Sequence, residues 1–377
     1  MQTSSRILFV DDDPYVLDGL RHSLWNRRKQ WDMHFAIGGE AAIVRLNREA
    51  FDVVVSDMKM PRVDGVAVLK HTHAKHPETL RIGLSGESGE EFALRAAQHA
   101  HQSLAKPCPP ETLETTLSRA FKIRALVSDP RMRATLGGLR QLPALPRTYT
   151  RLSTVLEDRF ASMTDVSRIV EGDVAATAKI LHLVNSAFFG FGRPVKTILQ
   201  AVQLLGVDLV KSLVLSTGVF SGVMSPEMAH ACEELHIHSV QIAHLASTIA
   251  EPSYRRDSFT AGLLHDIGWL VQIKYGPESV TKSMGRRFAT ATSEADDGEL
   301  HASLGAYLLG IWGLQLDVID AVATHHQPIH EPNVSPVARN VRRAEWALRT
   351  ALAEGTSGLR ERAIALASAP PDDVTTG

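Results

Sequence analysis

Acidic residues and one lysine stand at the ends of predicted strands in the first third of the chain. Asp11 and Asp12 follow one apolar run, Asp57 follows another, and Lys106 lies near the predicted fifth strand. In an open parallel sheet, ligands bind at the carboxyl ends of the strands. Three carboxylates gathered there need a cation, and Mg²⁺ suits them because it takes carboxylate, water and phosphate oxygens. The pattern predicts phosphoryl transfer to Asp57, with Mg²⁺ and the Lys106 ammonium stabilising charge on the phosphoryl oxygens.

The predicted fourth strand ends at Ser85, whose hydroxyl can donate a hydrogen bond to a new phosphoryl group. Acidic residues are also common in surface loops, and that interpretation accounts for any one of these carboxylates taken alone. It does not account for the ordered set, which stands at the ends of the first, third, fourth and fifth predicted strands. We therefore predict a phosphoacceptor site built on Asp57.

Histidines and carboxylates in the second half have the residue types of a transition-metal site. His265 and Asp266 are adjacent, and Glu234 and His238 are four residues apart, so that this pair shares one helix face. Such side chains suit Fe, Mn or Zn, and such sites activate water to attack phosphoesters. The alternative is a set of separate surface or capping histidines, since the chain has 17 histidines. The candidate ligands are Glu234, His238, His265, Asp266, His301, His325, His326 and Glu345.

Strand and helix patterns alternate through the first 120 or so residues. Buried strands are predicted at residues 7–10, 53–55 and 81–84, and helices at residues 14–25, 40–47, 64–75 and 90–97. This alternation predicts an α/β domain, with a parallel sheet covered by helices on both faces.

From about residue 142 the strand patterns end and apolar residues recur at helical spacing, as at Val174, Ala178 and Leu181. We therefore predict an all-α second half. A helix predicted from residue 110 to about residue 127 connects the two halves. The tail from residue 369 is predicted to be disordered.

The composition is that of an ordinary globular protein, with 44% hydrophobic residues, 22% charged residues and a net charge of −2. This balance argues against a nucleic-acid-binding protein. The arginines at 339, 342, 343 and 349 are interpreted as a solvated helix face. Two cysteines fit a reducing compartment, and no apolar run approaches the roughly 18 residues of a membrane span, so that we expect a cytoplasmic protein.

The segment Asp-Met-Lys-Met-Pro-Arg-Val-Asp-Gly at residues 57–65 closely resembles the phosphoacceptor loop of bacterial receiver domains, and residues 84–86 and 106–107 fit as well. The resemblance covers about residues 5–123. It implies a flavodoxin-like fold with a five-stranded parallel sheet, and phosphorylation of Asp57 by a sensor histidine kinase. It also implies that Asp12, Asp57 and the Lys59 carbonyl bind Mg²⁺, with Asp11 helping through water. One departure is Ser103, which stands where receivers usually have an aromatic residue that turns inward on activation.

The second half resembles the HDOD family, an offshoot of the HD phosphohydrolases, over roughly residues 138–350. The resemblance rests on Leu-Pro-Ala-Leu-Pro at 142–146, Asn-Ser-Ala-Phe-Phe-Gly at 185–190, the His265-Asp266 loop and the run from His301 to His326. It implies an HD-type helical fold and a bacterial signalling module that is generally non-catalytic.

The candidate metal ligands occur in an order similar to that of the related HD-GYP cyclic-di-GMP phosphodiesterases. The lysine of the His-Asp-x-Gly-Lys signature is replaced by Trp269, and Gln327-Pro328 follows His325-His326 where the Gly-Tyr-Pro motif is expected. An indole cannot hold phosphate as an ammonium does. We therefore predict a metal site without efficient turnover.

The leading hypothesis is a two-component response regulator, phosphorylated on Asp57, that controls a non-catalytic HDOD output domain. The alternative is a metal-dependent cyclic-di-GMP phosphodiesterase of the HD-GYP type. Expected partners are a histidine kinase and another signalling protein, without direct DNA or membrane binding, and a homodimer is left open. The predicted domains are a receiver at 1–123, a helical linker at 124–140, the HDOD domain at 141–350, and a terminal helix with a disordered tail at 351–377.

Overall fold

The computed structural model describes residues 5–86, 99–139, 155, 162–185, 194–206, 225–275, 298–328, 334–354 and 359–368. These residues belong to two compact units. The first contains the chain up to residue 140, together with residues 182–194 and 310–313, and the second contains the remainder. Three segments named above lie wholly or mostly outside the described residues, namely the predicted helix at 90–97, the motif at 142–146 and all but the first residue of the motif at 185–190. So does the tail from residue 369.

The first unit contains a five-stranded parallel sheet, as predicted, and its strand order is β2-β1-β3-β4-β5. The strands are β1 Ser5–Asp11, β2 Trp31–Ile37, β3 Val53–Asp57, β4 Leu80–Ser85 and β5 Gln102–Ala105. The helices are α1 Pro14–Ser23, α2 Gly38–Arg48, α3 Gly65–Lys75, α4 Pro110–Arg124 and α5 Pro130–Gly137. Consecutive residues of the central strands are buried on both sides, including Leu8, Phe9 and Val54. This is the pattern of a parallel sheet with helices on both faces.

Two acidic residues beside the sheet are helix caps. The Asp13 carboxylate accepts a hydrogen bond from the Tyr15 backbone N–H at the start of α1. The Asp64 carboxylate accepts one from the Ala67 N–H at the start of α3. Because these carboxylates satisfy backbone donors that a helix leaves open, they have a structural role. Asp11, which caps no helix, instead accepts the Asp13 N–H and a Lys106 hydrogen bond.

The predicted helix from 110 to about 127 ends at Arg124, and α5 follows it as a separate short helix. Buried Arg81 at the start of β4 holds the end of α5, because its guanidinium donates to the carbonyls of Gly137, Thr79 and His99. The His101 ring accepts the Arg81 backbone N–H at Nδ1, so that Nε2–H can donate to the Gly137 carbonyl. Burial and the neighbouring Arg81 charge lower the pKa of His101 well below its ordinary value, in agreement with this neutral form. Residues up to 139 therefore belong physically to the first unit.

The second unit is helical throughout the part that the structure describes. The helices that lie in it wholly or mostly are α6 Met163–Glu171, α7 Val174–Val184, α8 Ile198–Leu205, α9 Pro226–Ile249, α10 Arg255–Leu264, α11 Gly268–Tyr275, α12 Gly298–Ile311, α13 Leu316–Thr324, α14 Pro336–Ala353 and α15 Leu359–Ser368. The long helix α9 packs along α10 and α14, and α13 packs against the same two helices. Leu264, Ile267, Val322 and Val341 are fully buried in this core. Among the described helices, none has both the length and the apolar character needed to cross a bilayer.

Gly65 begins α3 directly against the backbone of β3. A Cβ atom at this position would collide with the Asp57 carbonyl oxygen and the Met58 Cα. Because these are backbone atoms, a side chain at residue 65 could fit only if the loop that carries Asp57 moved.

We predict that Gly65→Ala lowers the free energy of unfolding by about 1–3 kcal/mol, because the added methyl group overpacks a backbone contact. The matched control is Gly19→Ala in the exposed face of α1, where nothing lies within 4 Å of the new Cβ. That control should be neutral or stabilising by up to about 1 kcal/mol, because alanine favours helix over glycine. Urea unfolding measures both effects, and equal midpoints for the two variants would contradict the prediction.

Candidate functional site

The carboxyl edge of the first unit's sheet brings together the predicted phosphoacceptor residues. The Lys106 Nζ lies 2.9 Å from Asp11 Oδ2 and 2.8 Å from Asp57 Oδ1. Asp11 and Asp57 are buried, whereas Asp12 is exposed. One carboxylate oxygen from each of these three aspartates lies within 4.8 Å of the others, so that a single cation can contact all three.

The electrostatics of this edge show why a cation fits. Burial raises the pKa of Asp57, and the Asp11 charge raises it further, while the hydrogen bonds from Lys106 and the Lys59 backbone N–H oppose these effects. Burial lowers the pKa of Lys106, but its hydrogen bonds to Asp57 and Asp11 outweigh burial, and the net pKa is raised. The lysine is therefore charged, and it compensates only part of the negative charge of three carboxylates.

Ser85 and Ser103 lie on the neighbouring strands. Ser85 ends β4, and its carbonyl accepts the Lys106 N–H at 2.7 Å, which ties the two strand ends together. Ser103 pairs with Gly83 across β4 and β5 and is half-buried. The roles of Ser85 and of the Lys59 carbonyl stay predictions, as does the effect of Ser103 on switching.

In the second unit, seven of the eight candidate metal ligands form a cluster of linked short contacts. They come from α9, from the loop after α10, from α12, from the loop after α13 and from α14. The seven are His238, His265, Asp266, His301, His325, His326 and Glu345. Glu234 belongs to neither of the ligand groups found among the described residues, although it shares a helix face with His238. Glu345 also lies outside those groups, but its Oε2 contacts His238 and His265. The four-residue spacing of Glu234 and His238 predicts that both lie on one face of α9. It does not predict which turn of that helix lies close to the other candidate ligands.

Asp266 lies at the centre and divides the cluster into two groups. Its Oδ1 is 3.0 Å from the Nε2 of His301 and 3.4 Å from that of His325. Its Oδ2 is 3.3 Å from the Nε2 of His265 and 3.7 Å from that of His238. Each oxygen thus faces a different set of histidines, so that this carboxylate could offer one oxygen to each of two cations.

The remaining ligands extend the two groups. His326 Nε2 is 3.0 Å from His301 Nε2, and so belongs to the first group. Glu345 Oε2 is 3.1 Å from His238 Nε2 and 3.6 Å from His265 Nε2, and so belongs to the second. The first group offers three imidazoles and one carboxylate oxygen, whereas the second offers two imidazoles and two carboxylate oxygens.

Backbone carbonyls hold two of the rings in ligand orientation. The Nδ1 of His265 is 2.7 Å from the Gly262 carbonyl oxygen, and the Nδ1 of His325 is 2.8 Å from that of Val322. Since a carbonyl only accepts, each ring carries its proton on Nδ1 and directs Nε2 toward the cluster. This is the usual outer hydrogen bond of a metal-ligating histidine.

Buried polar atoms in the cluster test whether a cation fits. Within the described part of the chain, His265 Nε2 and Glu345 Oε2 are buried without a hydrogen bond of good geometry. His301 Nε2 lies 3.1 Å from His325 Nε2 and 3.0 Å from His326 Nε2, and it can donate to only one of them. Metal ions between these atoms would satisfy them all, so the residues fit such a centre.

The protonation of the cluster agrees with this fit. Burial and the neighbouring histidines lower the pKa of His325 to about 4 and of His326 to about 2, so that both rings are neutral ligands. Burial also acts to lower the pKa of His265, but the Asp266 and Glu345 charges outweigh it and raise the value to about 9. Burial disfavours the Asp266 carboxylate, yet the neighbouring His265 holds its pKa well below the ordinary value. A proton on His265 thus stands where a cation would otherwise compensate the two carboxylates.

The resemblance to the phosphodiesterases places Trp269 where they have a lysine. Its ring stacks on His301 with centroids 4.6 Å apart and planes 22° apart, and it is buried. The preceding Gly268 packs against the His301 carbonyl so closely that a Cβ would collide with it. The indole therefore supports a ligand ring, and no cationic group is present at residue 269.

Two arginines of α14 lie beside this site, although the sequence predicts that the arginines of this helix form a solvated face. That interpretation is wrong for Arg342, which is only 3% exposed and donates to the Pro328 carbonyl and to Gln327 Oε1. It thereby holds the loop that follows His325 and His326. Arg349 donates to Glu345. Arg342 and Arg349 are both within about one helical turn of Glu345 in the sequence, and this spacing could have indicated that they lie near the site.

Comparisons with known proteins identify one domain family in each half of the chain. The response regulator receiver domain family matches residues 7–118, and the HDOD domain family matches residues 142–328. An uncharacterized protein of Treponema pallidum is 25% identical over 270 residues, which cover 69% of this chain and 50% of that protein. A protein-glutamate methylesterase/protein-glutamine glutaminase 1 of Anaeromyxobacter dehalogenans is 33% identical over 158 residues, covering 39% of this chain and 44% of that protein.

Among solved structures, the MmoQ response regulator of Methylococcus capsulatus is 22% identical, covers 62% of this chain and 96% of that chain, and has a TM-score of 0.47. The chain spans about half the length, or less, of these two curated relatives. The family matches lie one after the other, the first over the parallel sheet and the second over the members of the helical cluster up to His326, whereas Glu345 lies beyond it. The chain is a two-component response regulator in which a receiver domain is followed by an HDOD domain.

Proposed function

We propose that the receiver takes a phosphoryl group from a sensor histidine kinase onto Asp57, and that this modification controls an HDOD domain that binds another signalling protein. The observation that carries the proposal is the contact of Lys106 with both Asp57 and Asp11 at the carboxyl edge of the sheet. A second copy of the chain is a further partner through which the same control can act.

The residues of the receiver have distinct parts in the transfer. One Asp57 oxygen attacks the phosphorus of the phosphohistidine, a P–O bond forms, and the P–N bond to the leaving imidazole breaks. Lys106 neutralises charge on the phosphoryl oxygens, and the Ser85 hydroxyl donates to one of them. Asp11, Asp12, Asp57 and the Lys59 carbonyl would hold Mg²⁺, which supplies the remaining positive charge.

The HDOD domain is proposed to hold Fe, Mn or Zn in the cluster around Asp266. Bound ions of this kind can lower the pKa of a water molecule and so generate a nucleophile. The surroundings favour a structural and binding role over turnover, because the buried Trp269 stacks on His301 where a phosphate-binding cation would be needed. Robust metal-dependent cleavage of cyclic-di-GMP would contradict this role and favour the phosphodiesterase alternative.

The partners follow from the two domains. A receiver implies a histidine kinase, and neither family match is a DNA-binding domain. Cys108 and Cys232 are both free thiols, which supports a reducing cytoplasmic location. The proposed domain limits remain 1–123, 124–140, 141–350 and 351–377, with the reservation that residues up to 139 pack with the receiver.

We predict that acetyl phosphate with Mg²⁺ adds one phosphoryl group to the wild-type chain and none to Asp57→Ala, as measured by intact-protein mass spectrometry. Lys106→Ala should still be labelled, but its phosphorylation should no longer affect the HDOD domain. The matched control is Asp13→Asn, which keeps the α1 cap in the same loop and should be labelled like the wild type. Equal labelling of wild type and Asp57→Ala would refute the assignment.

A second prediction concerns the metal centre. Elemental analysis of wild-type protein dialysed against Fe²⁺, Mn²⁺ or Zn²⁺ in excess Mg²⁺, which fills the receiver site, should give up to two transition-metal ions per chain. Asp266→Ala, and likewise His265→Ala combined with Asp266→Ala, should lose both ions because the bridging carboxylate is removed, whereas His326→Ala should lose one. His244→Ala on α9 is the control, because this exposed ring packs edge-on against Phe259 outside the cluster. Wild-type metal content in folded Asp266→Ala would contradict the bridging role.

A further inference from the structure

The two oxygens of Glu345 have different neighbours. Oε2 faces the cluster, 3.1 Å from His238 Nε2 and 3.6 Å from His265 Nε2. Oε1 accepts a hydrogen bond from Arg349 Nη2 at 2.9 Å, one turn further along α14. The carboxylate is thus held from one side by a cation while its other oxygen is directed at the second ligand group.

The contact with Arg349 has little weight as a stabilising ion pair. The Arg349 side chain is 38% exposed, and ion pairs that reach the solvent contribute little to folding. It does restrict rotation, because the last torsion of a glutamate side chain has broad preferences of its own. The oxygen that Arg349 holds cannot turn into the cluster, and the other oxygen is left to do so.

We propose that Arg349 is a positioning residue of the HDOD metal centre. It orients Glu345 so that Oε2 completes the position formed by His238, His265 and Asp266 Oδ2. The inference rests on the proposed metal centre, and it names the residue that sets the affinity of one position and leaves the other unaffected. The other position is made by His301, His325, His326 and Asp266 Oδ1, none of which contacts Arg349 in the described structure.

The two positions differ in the metal that they should prefer. The position completed by Glu345 has two imidazoles and two carboxylate oxygens, and the greater oxygen share favours Mn²⁺ or Fe²⁺. The other position has three imidazoles and one carboxylate oxygen, which suits Zn²⁺. A change in the orientation of Glu345 should therefore affect Mn²⁺ binding more than Zn²⁺ binding.

The test is calorimetric titration of Mn²⁺ and, separately, Zn²⁺ into full-length protein that is free of transition metals and kept in excess Mg²⁺, so that the carboxylate site of the receiver is already filled. Arg349→Ala should weaken one of the two Mn²⁺ binding steps by about 10–100-fold, the usual effect of losing an outer-shell partner, and leave the other step unchanged. Arg349→Lys keeps a cation at this position and should recover part of the affinity. Arg339→Ala is the control on the same helix, since this side chain only reaches the Val334 carbonyl at the far end of α14.

A double-mutant cycle separates positioning from a general structural effect. Glu345→Gln should weaken the same step, and adding Arg349→Ala to it should cause no further loss, because Arg349 acts through Glu345. The thermal midpoint of the metal-free Arg349→Ala protein should match that of the wild type. Equal weakening of both steps, additive losses, or wild-type affinity in Arg349→Ala would overturn the inference alone. Absence of metal binding by the wild type would overturn the proposed metal centre, and the inference with it.

Discussion

Compensation of buried negative charge is the constraint on which both sites of this protein depend. Removing a carboxylate from water costs several kcal/mol unless positive charge and hydrogen bonds are supplied. In the receiver, the buried pair of Asp11 and Asp57 shares the Lys106 ammonium. In the HDOD domain, histidines contact both Asp266 and Glu345, and Arg349 donates a hydrogen bond to Glu345. In each site, the protein's own cationic groups compensate only part of the negative charge of the carboxylates. Each site is therefore suited to bind a cation.

The two folds solve this constraint with different elements. A parallel sheet ends all its strands at one edge, so that residues distant in sequence meet without long side chains. The helical domain instead relies on positions next to helix ends, where His265 and His325 find free backbone carbonyls for Nδ1. Those carbonyls fix the orientation of the two rings within the folded protein itself. In the same cluster, Arg349 donates a hydrogen bond to Glu345 and holds one of its oxygens.

Most of the receiver fold could be predicted from the sequence, because strand and helix patterns alternate there and the resemblance to receiver domains implied a five-stranded parallel sheet. The order of the strands was not predicted, because alternation alone does not determine which strands are neighbours. Less of the helical domain could be predicted from the sequence. Helical spacing predicts that Glu234 and His238 share a face of α9, but only His238 belongs to a ligand group in the described structure. Periodicity identifies the face of a helix and does not identify which turn of it packs against the neighbouring helices. Arg342 was misassigned because a buried arginine bound to carbonyls has the same sequence pattern as a solvated one. Trp269 signalled a missing cation, but its stacking on His301 depends on tertiary packing.

The central claim is that the state of Asp57 controls the HDOD domain, which lies beyond α4 and α5 along the chain. Allosteric control requires two states that the phosphoryl group stabilises differently. Ser103 in place of an aromatic side chain should separate those states less sharply. The most direct test is hydrogen exchange of the full-length protein with and without acetyl phosphate and Mg²⁺, compared with Asp57→Ala. We expect phosphorylation to change exchange in HDOD helices such as α9 and α14 of the wild type, and to change nothing there in Asp57→Ala. Changes confined to the receiver of a fully phosphorylated wild-type protein would contradict the account.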